Sequence, residues 1–149
     1  MEVWTLRAAT VADLEPIAEL RATVMRPDLE RLGRYDEHRV RQRLRDSFST
    51  RYTSIVETDG GAFAGSVTVR PVAGTLWLEH FYLRPDLQGR GLGSAVLRHV
   101  LESVDADGAM IRLNVLRGSA AQRLYARHGF LVESKDAIDV LMVRPPAGW

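Results

Sequence analysis

The sequence predicts an α/β protein built on one mixed β-sheet. Three strand-like segments follow one another between residues 51 and 85, with glycine turns between them, which is typical of an antiparallel meander. The segment 109–116 follows a strand, a loop and a helical pattern, an order that favours a parallel crossover. Helical patterns before and after the meander predict helices on both faces of the sheet. The 149 residues suit a single domain, 1–149.

The composition narrows the classes of protein. Hydrophobic residues make up 46% and charged residues 26%, which is ordinary for a globular chain. We expect no membrane partner, because no run of about 18 apolar residues occurs, and a cytoplasmic location, because the first residues do not resemble a secretory signal. Cysteine is absent, which excludes disulfides, thiolate metal ligands and a cysteine nucleophile, and we expect no metal. A net charge of +1 does not favour nucleic acid as a partner.

The first part of the chain predicts one strand and two helices. Alternation over residues 3–9 indicates a strand. Asp13 is a candidate N-cap for the helix that follows, with Pro16 in its first turn. We expect that helix to end at Pro27 and a second helix to run from about Asp36 to Phe48, with an apolar stripe at every fourth residue.

The remaining elements follow in order. The meander comprises strands 51–58, 62–72 and 75–85, separated by turns at Asp59-Gly60-Gly61 and Ala73-Gly74. A helical pattern then runs from residue 92 to about Val104, and Ser119 is a candidate N-cap for a helix that Gly129 ends. The other predicted elements are the strand 109–116, the helix 120–128 and a closing hairpin of 130–134 with 137–145.

The stretch DLQGRGLGSAVL, residues 86–97, places three glycines directly before a helical pattern. Glycine costs roughly 0.5–1 kcal/mol relative to alanine inside regular structure, so the run indicates a tight turn or a backbone that touches a ligand. The lysine of a P-loop is missing, and Ser94 stands where a dinucleotide fingerprint needs glycine. The stretch 88–93 fits Q/R-x-x-G-x-G/A instead, at a helix N-terminus whose N–H groups can hold a pyrophosphate.

With its flanks, this loop resembles the GNAT acetyltransferase superfamily, which binds acetyl-CoA. The resemblance covers about residues 4–144 and is most specific in FYLRPDLQGRGLG (81–93) and VLRGSAAQRLYARHGF (115–130). It implies the GNAT acyl-CoA N-acyltransferase fold, with a mostly antiparallel central sheet in which the fourth and fifth strands form one splayed parallel pair. It also implies acetyl-CoA as the cosubstrate.

The resemblance assigns roles residue by residue. The backbone of Phe81, Tyr82 and Leu83 is similar to the strand edge that pairs with pantetheine and the acetyl carbonyl. Ser119 stands where many members carry asparagine, and serine cannot supply the two-sided hydrogen bonding of an amide. Tyr125 matches a tyrosine that lies near the CoA sulfur, so we expect it to act as general acid. The residues of the expected pyrophosphate cradle are Gln88, Gly89, Arg90, Gly91, Leu92, Gly93 and Ser94.

Glu79 is the first candidate for the base that deprotonates the amine. Strand alternation would put it on the same face as Phe81 and would aim His80, the next candidate, at the opposite face. Glu79 could instead be a solvated strand carboxylate or a partner for Arg112. Tyr125 likewise has an alternative role, because its ring could simply pack against the core.

The acceptor side is expected to involve the first two helices and the loop between them. Eight arginines fall between Arg26 and Arg51, and they indicate either an anionic acceptor or a solvated helix face. The candidate acceptor-binding residues are Arg26, Tyr35, Trp77 and Asn114.

These features predict an enzyme that moves the acetyl group of acetyl-CoA to a primary amine by direct attack. The acceptor could be a small molecule or a peptide or protein amine, and the family leaves room for a homodimer. A chain that binds acyl-CoA without transfer, as a sensor or partner subunit, is the alternative; the presence of both Glu79 and Tyr125 favours the enzyme.

Overall fold

The computed structural model describes residues 3–148, and this part of the chain contains seven β-strands and four α-helices. The strands are β1 (Trp4–Ala8), β2 (Thr53–Thr58), β3 (Ala62–Val72), β4 (Thr75–Leu83), β5 (Ile111–Leu116), β6 (Leu131–Lys135) and β7 (Asp139–Arg144). The helices are α1 (Leu14–Arg31), α2 (Glu37–Ser47), α3 (Leu92–Ala106) and α4 (Ala120–Arg127).

The strands form one mixed sheet in the order β1-β2-β3-β4-β5-β7-β6. Strands β4 and β5 are parallel, with Leu76 opposite Ile111 and Trp77 opposite Arg112. The pairs β1/β2, β2/β3, β5/β7 and β6/β7 are antiparallel. The predicted α/β fold with a mixed sheet and one parallel crossover is therefore confirmed.

The chain forms two compact units. The first consists of the chain up to Val69 together with His80–Leu92. In its core, the apolar faces of α1 and α2 pack against strands of the same unit. Its buried cluster comprises Ala9, Ile17, Ala18, Leu44 and Ile55, and Leu14, Phe48, Phe63 and Tyr82 pack against it.

The second unit consists of Arg70–Glu79 together with the chain from Gly93 onward. One face of α3 and alternate residues of β5 and β7 supply its buried side chains, as the periods of helix and strand require. The fully buried members are Val96 and Leu97 of α3, Ile111 and Leu113 of β5, and Val140 and Met142 of β7, together with Phe130.

Helix α1 does not end at Pro27, as the sequence predicts, but continues to Arg31 with Pro27 inside it. Proline removes one backbone donor without removing the carbonyl groups that later residues need. The helix resumes at once: the N–H of Leu32 donates to the Asp28 carbonyl at 3.0 Å, and the Arg31 side chain donates to the Asp28 carboxylate at 2.9 Å.

The start of α1 also differs from the prediction. Asp13 occupies the N-cap position in helical conformation, but its side chain does not cap α1. Its carboxylate instead accepts two hydrogen bonds from Arg7, at 2.8 and 2.9 Å, and one from the backbone of Thr10. The hydrogen bond from Arg7, more than any other interaction, lowers the pKa of Asp13 to about 2. The Asp13 carboxylate therefore links Arg7 of β1 to the residues that lead into α1.

Other predicted elements are confirmed, with boundaries shifted by one or two residues. Asp36 caps α2 by accepting from the backbone N–H groups of His38 and Arg39, and the Ser119 hydroxyl caps α4 by accepting from Gln122. Within residues 3–148, no helix is long and apolar enough to cross a membrane.

Candidate functional site

The loop between β4 and α3 contains two glycines in a conformation that other residues rarely adopt. Gly89 has φ +76° and Gly91 has φ +82°, both in the left-handed region that favours glycine. A Cβ built on either glycine would find no heavy atom within 4 Å. The glycines are thus required by the path of the chain, and the space beside them is open.

Polar contacts inside the first unit hold this loop in place. The Gln88 amide donates to the Leu83 carbonyl at 2.9 Å, which ties the loop back to the end of β4. Arg84 makes a bidentate ion pair with Asp86, at 3.1 and 2.7 Å, and also donates to the Phe63 carbonyl of β3. The side chain of Gln88 thus serves the loop itself, and its carbonyl partner belongs to the strand edge 81–83.

Helix α3 begins at Leu92 and has no acidic residue in its first turn. The N-terminus of a helix presents unpaired N–H groups and a positive dipole end, so this end suits an anion. In the second unit, the hydroxyl oxygen of Ser94 lies 3.2 Å from Nε2 of His128. Burial, followed by the charges of Arg98, Arg127 and Arg144, lowers the pKa of His128, so its imidazole is neutral near pH 7.

Tyr125 lies buried on α4 with its ring against Phe130, the ring centres 5.6 Å apart and tilted by 60°. Ser119 is also buried, and its hydroxyl caps α4 by accepting from the Gln122 N–H. The side-chain oxygen of Gln122 in turn accepts from the Gly118 N–H at 2.8 Å. The predicted capping role of Ser119 is confirmed. A cofactor contact through Ser119 stays a prediction.

His80 interrupts the regular pleat of β4. Its φ of +47° is left-handed, a conformation that is uncommon outside glycine, although asparagine, aspartate and histidine are enriched there. The Ser66 hydroxyl of β3, which is buried, donates to the His80 carbonyl at 2.7 Å. Close packing also occurs beside it, because a Cβ on Gly65 would overlap the carbonyl oxygen of Tyr82.

This interruption removes the basis for placing Glu79 and Phe81 on one face, because strict alternation does not continue through a left-handed residue. Both carboxylate oxygens of Glu79 accept hydrogen bonds from Arg70, at 2.8 and 2.9 Å. The ion pair raises the pKa of Arg70. The alternative pairing with Arg112 is wrong, since Arg112 binds Glu133 at 2.9 Å.

A hydrogen-bonded cluster that the sequence did not predict joins α1, α2 and β4 in the first unit. The Tyr82 hydroxyl accepts from Nε of Arg21 at 2.9 Å and lies 3.1 Å from Nδ1 of His80. Nε2 of His80 lies 2.8 Å from the Ser47 hydroxyl. A second nitrogen of the buried Arg21 donates to the Val40 carbonyl. Residues far apart in sequence form this cluster, so no local motif indicates it.

Among the predicted acceptor-binding residues, Arg26 and Tyr35 come together in the first unit. The Arg26 guanidinium lies 4.8 Å from the centre of the Tyr35 ring and 3.4 Å from the Glu30 carboxylate. Trp77 and Asn114 belong to the second unit, where Trp77 is half-buried on β4 and Asn114 is exposed on β5. Within residues 3–148, no group of three or more histidine or acidic side chains could hold a metal ion.

Comparison with protein families identifies the class. Residues 15–130 match the model of the acetyltransferase (GNAT) family. The match covers most of the chain and includes the glycine loop and Tyr125, so the chain belongs to the GNAT acetyltransferase family. A comparison with curated proteins gave no match.

Solved structures of acetyltransferases share the fold. PaiA N-acetyltransferase from Thermoplasma acidophilum, in complex with coenzyme A, is 19% identical with a TM-score of 0.74, over 96% of this chain and 99% of that one. The ribosomal-protein-S18-alanine N-acetyltransferase from Escherichia coli is 20% identical with a TM-score of 0.71, over 99% and 96%. N-acetylglutamate synthase from Neisseria gonorrhoeae, complexed with coenzyme A and L-arginine, is 20% identical with a TM-score of 0.66, over 99% of this chain but 34% of that one.

Proposed function

We propose that this chain transfers the acetyl group of acetyl-CoA to a primary amine. The observation that carries this proposal is the loop of residues 88–94. Left-handed Gly89 and Gly91, with open space beside them, lead into a helix whose first turn lacks acidic residues. Backbone N–H groups and the helix dipole there suit the pyrophosphate of CoA, and the absence of a Cβ lets the ligand approach closely.

Three groups of residues would hold the cosubstrate. Backbone groups of Phe81, Tyr82 and Leu83 would pair with pantetheine, although the Leu83 carbonyl already accepts from Gln88. The cradle would bind the pyrophosphate, and Ser119 is the third contact that we propose. The cradle residues are Gln88, Gly89, Arg90, Gly91, Leu92, Gly93 and Ser94.

Acetyl-CoA supplies an activated thioester. The chain must donate one proton to the departing sulfur and accept one proton from the amine. Tyr125 would protonate the departing sulfur, since a phenol hydroxyl carries a proton that it can donate. The amine must lose a proton, and β4 offers Glu79 and His80 as acceptors. Both carboxylate oxygens of Glu79 already accept hydrogen bonds from Arg70, so Glu79 would take this proton on a remaining lone pair.

The residues that we propose for the acceptor side support a class of acceptor. Arg26 stacked over Tyr35 supports an acceptor that carries an anionic or flat group. Trp77 and Asn114 are the other acceptor-binding residues that we propose. A small amine and a peptide or protein amine are the two acceptor classes that the sequence leaves open, and a cytoplasmic location and a homodimer stay predictions from the sequence.

Calorimetry with acetyl-CoA and with CoA tests the cradle. Gly91→Asp should reduce affinity at least tenfold, because it places a side chain and a negative charge where a phosphate would sit. Gly91→Ala carries the backbone strain without the charge and should lose less affinity. Gly74→Asp is the matched control, since Gly74 has the same φ of +82° and equally open surroundings in the β3–β4 turn. A folded Gly91→Asp variant with unchanged affinity for CoA would contradict the proposal.

A panel of amines with acetyl-CoA, followed by release of free thiol, tests the reaction. The chain has no cysteine, so a thiol reagent reports only CoA. We expect thiol release that depends on at least one primary amine, with an acetylated product seen by mass spectrometry. Tight binding of acetyl-CoA without transfer to any amine would support the sensor or partner-subunit alternative.

A further inference from the structure

The directions of the hydrogen bonds around His80 determine which of its ring nitrogens carries a proton. The Ser47 hydroxyl lies 2.8 Å from the carbonyl of Arg43, which can only accept. Serine has a single hydroxyl proton, so that proton points at Arg43, and the Ser47 oxygen accepts from Nε2–H of His80. Neutral His80 is therefore the Nε2–H tautomer, and its basic lone pair lies on Nδ1.

The other side of the ring leads to Tyr82. Nδ1 lies 3.1 Å from the Tyr82 hydroxyl, whose oxygen accepts from the Arg21 guanidinium. The Tyr82 proton thus points toward Nδ1 of His80. A hydroxyl that accepts from a cation becomes a stronger donor, because hydrogen bonds in a chain polarise one another. The pair is arranged to pass a proton from the tyrosine oxygen to the histidine.

Contacts to His80 come from three elements and leave it little freedom. Ser47 belongs to α2, Tyr82 to β4, and Ser66 of β3 holds the His80 carbonyl. Arg21 of α1 brings a positive charge to this cluster, and its guanidinium also donates to the Val40 carbonyl. The neighbouring carboxylate, Glu79, binds Arg70 in the second unit. A left-handed backbone maintained at a half-buried histidine indicates a constraint beyond packing.

We propose that His80 and Tyr82 together form the proton acceptor for the amine, in place of Glu79. This inference rests on the proposed acetyl transfer. Before the amine attacks, one N–H bond of its ammonium form breaks and that proton joins the Tyr82 oxygen, while the hydroxyl's own proton moves to Nδ1 of His80. The products are a neutral amine nitrogen and an imidazolium, which returns its proton to water. Arg21 and Ser47 are positioning residues, since they orient the hydroxyl and set the tautomer.

The position of Tyr82 in the chain supports this assignment. Its backbone lies in the segment 81–83, which we propose to pair with pantetheine and the acetyl carbonyl. Its side chain turns toward α1, in the part of the chain proposed to receive the acceptor. One residue would thus present the thioester through its backbone and take the amine proton through its hydroxyl.

Nitrogen NMR of the ¹⁵N-histidine-labelled protein tests the tautomer without any substrate. We expect His80, assigned by its loss in His80→Asn, to show the Nε2–H form. Ser47→Ala removes the acceptor of that proton and should weaken the preference. A protein in which neutral His80 is the Nδ1–H form would overturn the proposal, whatever the enzyme does.

Kinetics with the best amine of the panel tests the proton transfer. His80→Asn keeps a residue that tolerates a left-handed φ, and it should lower kcat/KM by about 10²–10⁴-fold near neutral pH. The deficit should shrink as the pH approaches the pKa of the amine, where free amine forms without a base. Tyr82→Phe should show the same pH dependence, and Ser47→Ala a smaller loss in kcat. CoA affinity should be unchanged in all three variants.

Chemical rescue separates a base from a structural role. His80→Gly suits the left-handed backbone and leaves room for a small base, so added imidazole should restore rate to this variant. Any loss of rate in Glu79→Gln should not respond to imidazole. His99→Asn, an exposed histidine on α3, should leave the rate unchanged. If His80→Asn has a rate deficit that does not change with pH, or if His80→Asn is fully active, the proposed role of His80 is overturned while the proposed acetyl transfer stands. A wild-type chain that releases no thiol with any amine overturns the proposed function, and this role with it.

Discussion

Tyr125 is the single residue on which the acid half of the proposed reaction depends. Its ring packs on Phe130 inside the second unit, and phenylalanine would preserve that packing while removing only the hydroxyl. We therefore expect Tyr125→Phe to lower kcat by about 10²–10⁴-fold, with nearly unchanged acetyl-CoA affinity. Steady-state kinetics and calorimetry measure both. Wild-type turnover in this variant would remove the acid role and leave Tyr125 as a core residue.

At the residue scale, the sequence predicted well what depends on local chemistry. The cap at Ser119 was predicted from a side-chain oxygen placed before a helical pattern, and it is confirmed. The predicted cap at Asp13 is wrong, because Arg7 and the Thr10 backbone bind that carboxylate. The surroundings of Glu79 could not be predicted, because alternation assumes a continuous pleat and His80 breaks it. The buried Ser66 that holds the His80 carbonyl has meaning only once β3 and β4 are side by side.

At the element scale, α1 shows where a propensity rule gives the wrong boundary. Proline disfavours a helix interior, yet the turn after Pro27 is held by the Arg31–Asp28 ion pair and by the backbone bond from Leu32 to Asp28. The strands of the meander were predictable because each turn has its own glycine. The order β5-β7-β6 was not, because a hairpin can add to a sheet through either strand and the contacts that decide are not local.

Pro27→Ala tests the energetic cost of that proline. Proline in a helix interior is less favourable than alanine by about 3 kcal/mol, and less near an end, while its stiffness in the unfolded chain offsets part of the gain. Because Pro27 is exposed in α1, we expect the alanine variant to gain roughly 1–3 kcal/mol in free energy of unfolding, measured in urea. Pro16→Ala, in the first turn, should gain much less. Equal gains at both positions would contradict this account.

At the scale of the whole molecule, several arginines of the segment 26–51 form ion pairs with nearby carboxylates. In the first two helices, the ion pairs are Arg26–Glu30, Arg31–Asp28, Arg41–Glu19 and Arg45–Glu15. Such exposed pairs contribute little to stability, but they reduce the positive field that a ligand would meet. This pairing favours the solvated-face interpretation for the paired arginines.

We propose Arg26 and the exposed Arg34 as the positions that would recognise an anionic acceptor. The Arg26–Glu30 contact, at 3.4 Å, is longer than the other pairs of these two helices, so the Arg26 guanidinium is the easier one to redirect to a ligand. If the acceptor carries a carboxylate or phosphate, Arg26→Ala or Arg34→Ala should raise its KM severalfold, with a smaller effect for neutral amines and at high salt. Arg45→Ala is the control, because that guanidinium is already held by Glu15 at 2.8 Å. If every accepted substrate proves polycationic, the anionic version of the acceptor is wrong.

The left-handed backbone at His80 also limits which substitutions at this codon preserve the fold. Histidine codons lie one nucleotide change from those of asparagine and aspartate, the other non-glycine residues that tolerate this backbone most readily. Drift at this codon can therefore replace the imidazole with an amide or a carboxylate while the bend in β4 survives. Such a lineage would keep a folded chain with an intact glycine loop and lose, in a single step, the base proposed here. Position 80 is thus a place where a catalyst of this type could become a carrier or sensor of acyl-CoA without passing through an unfolded intermediate.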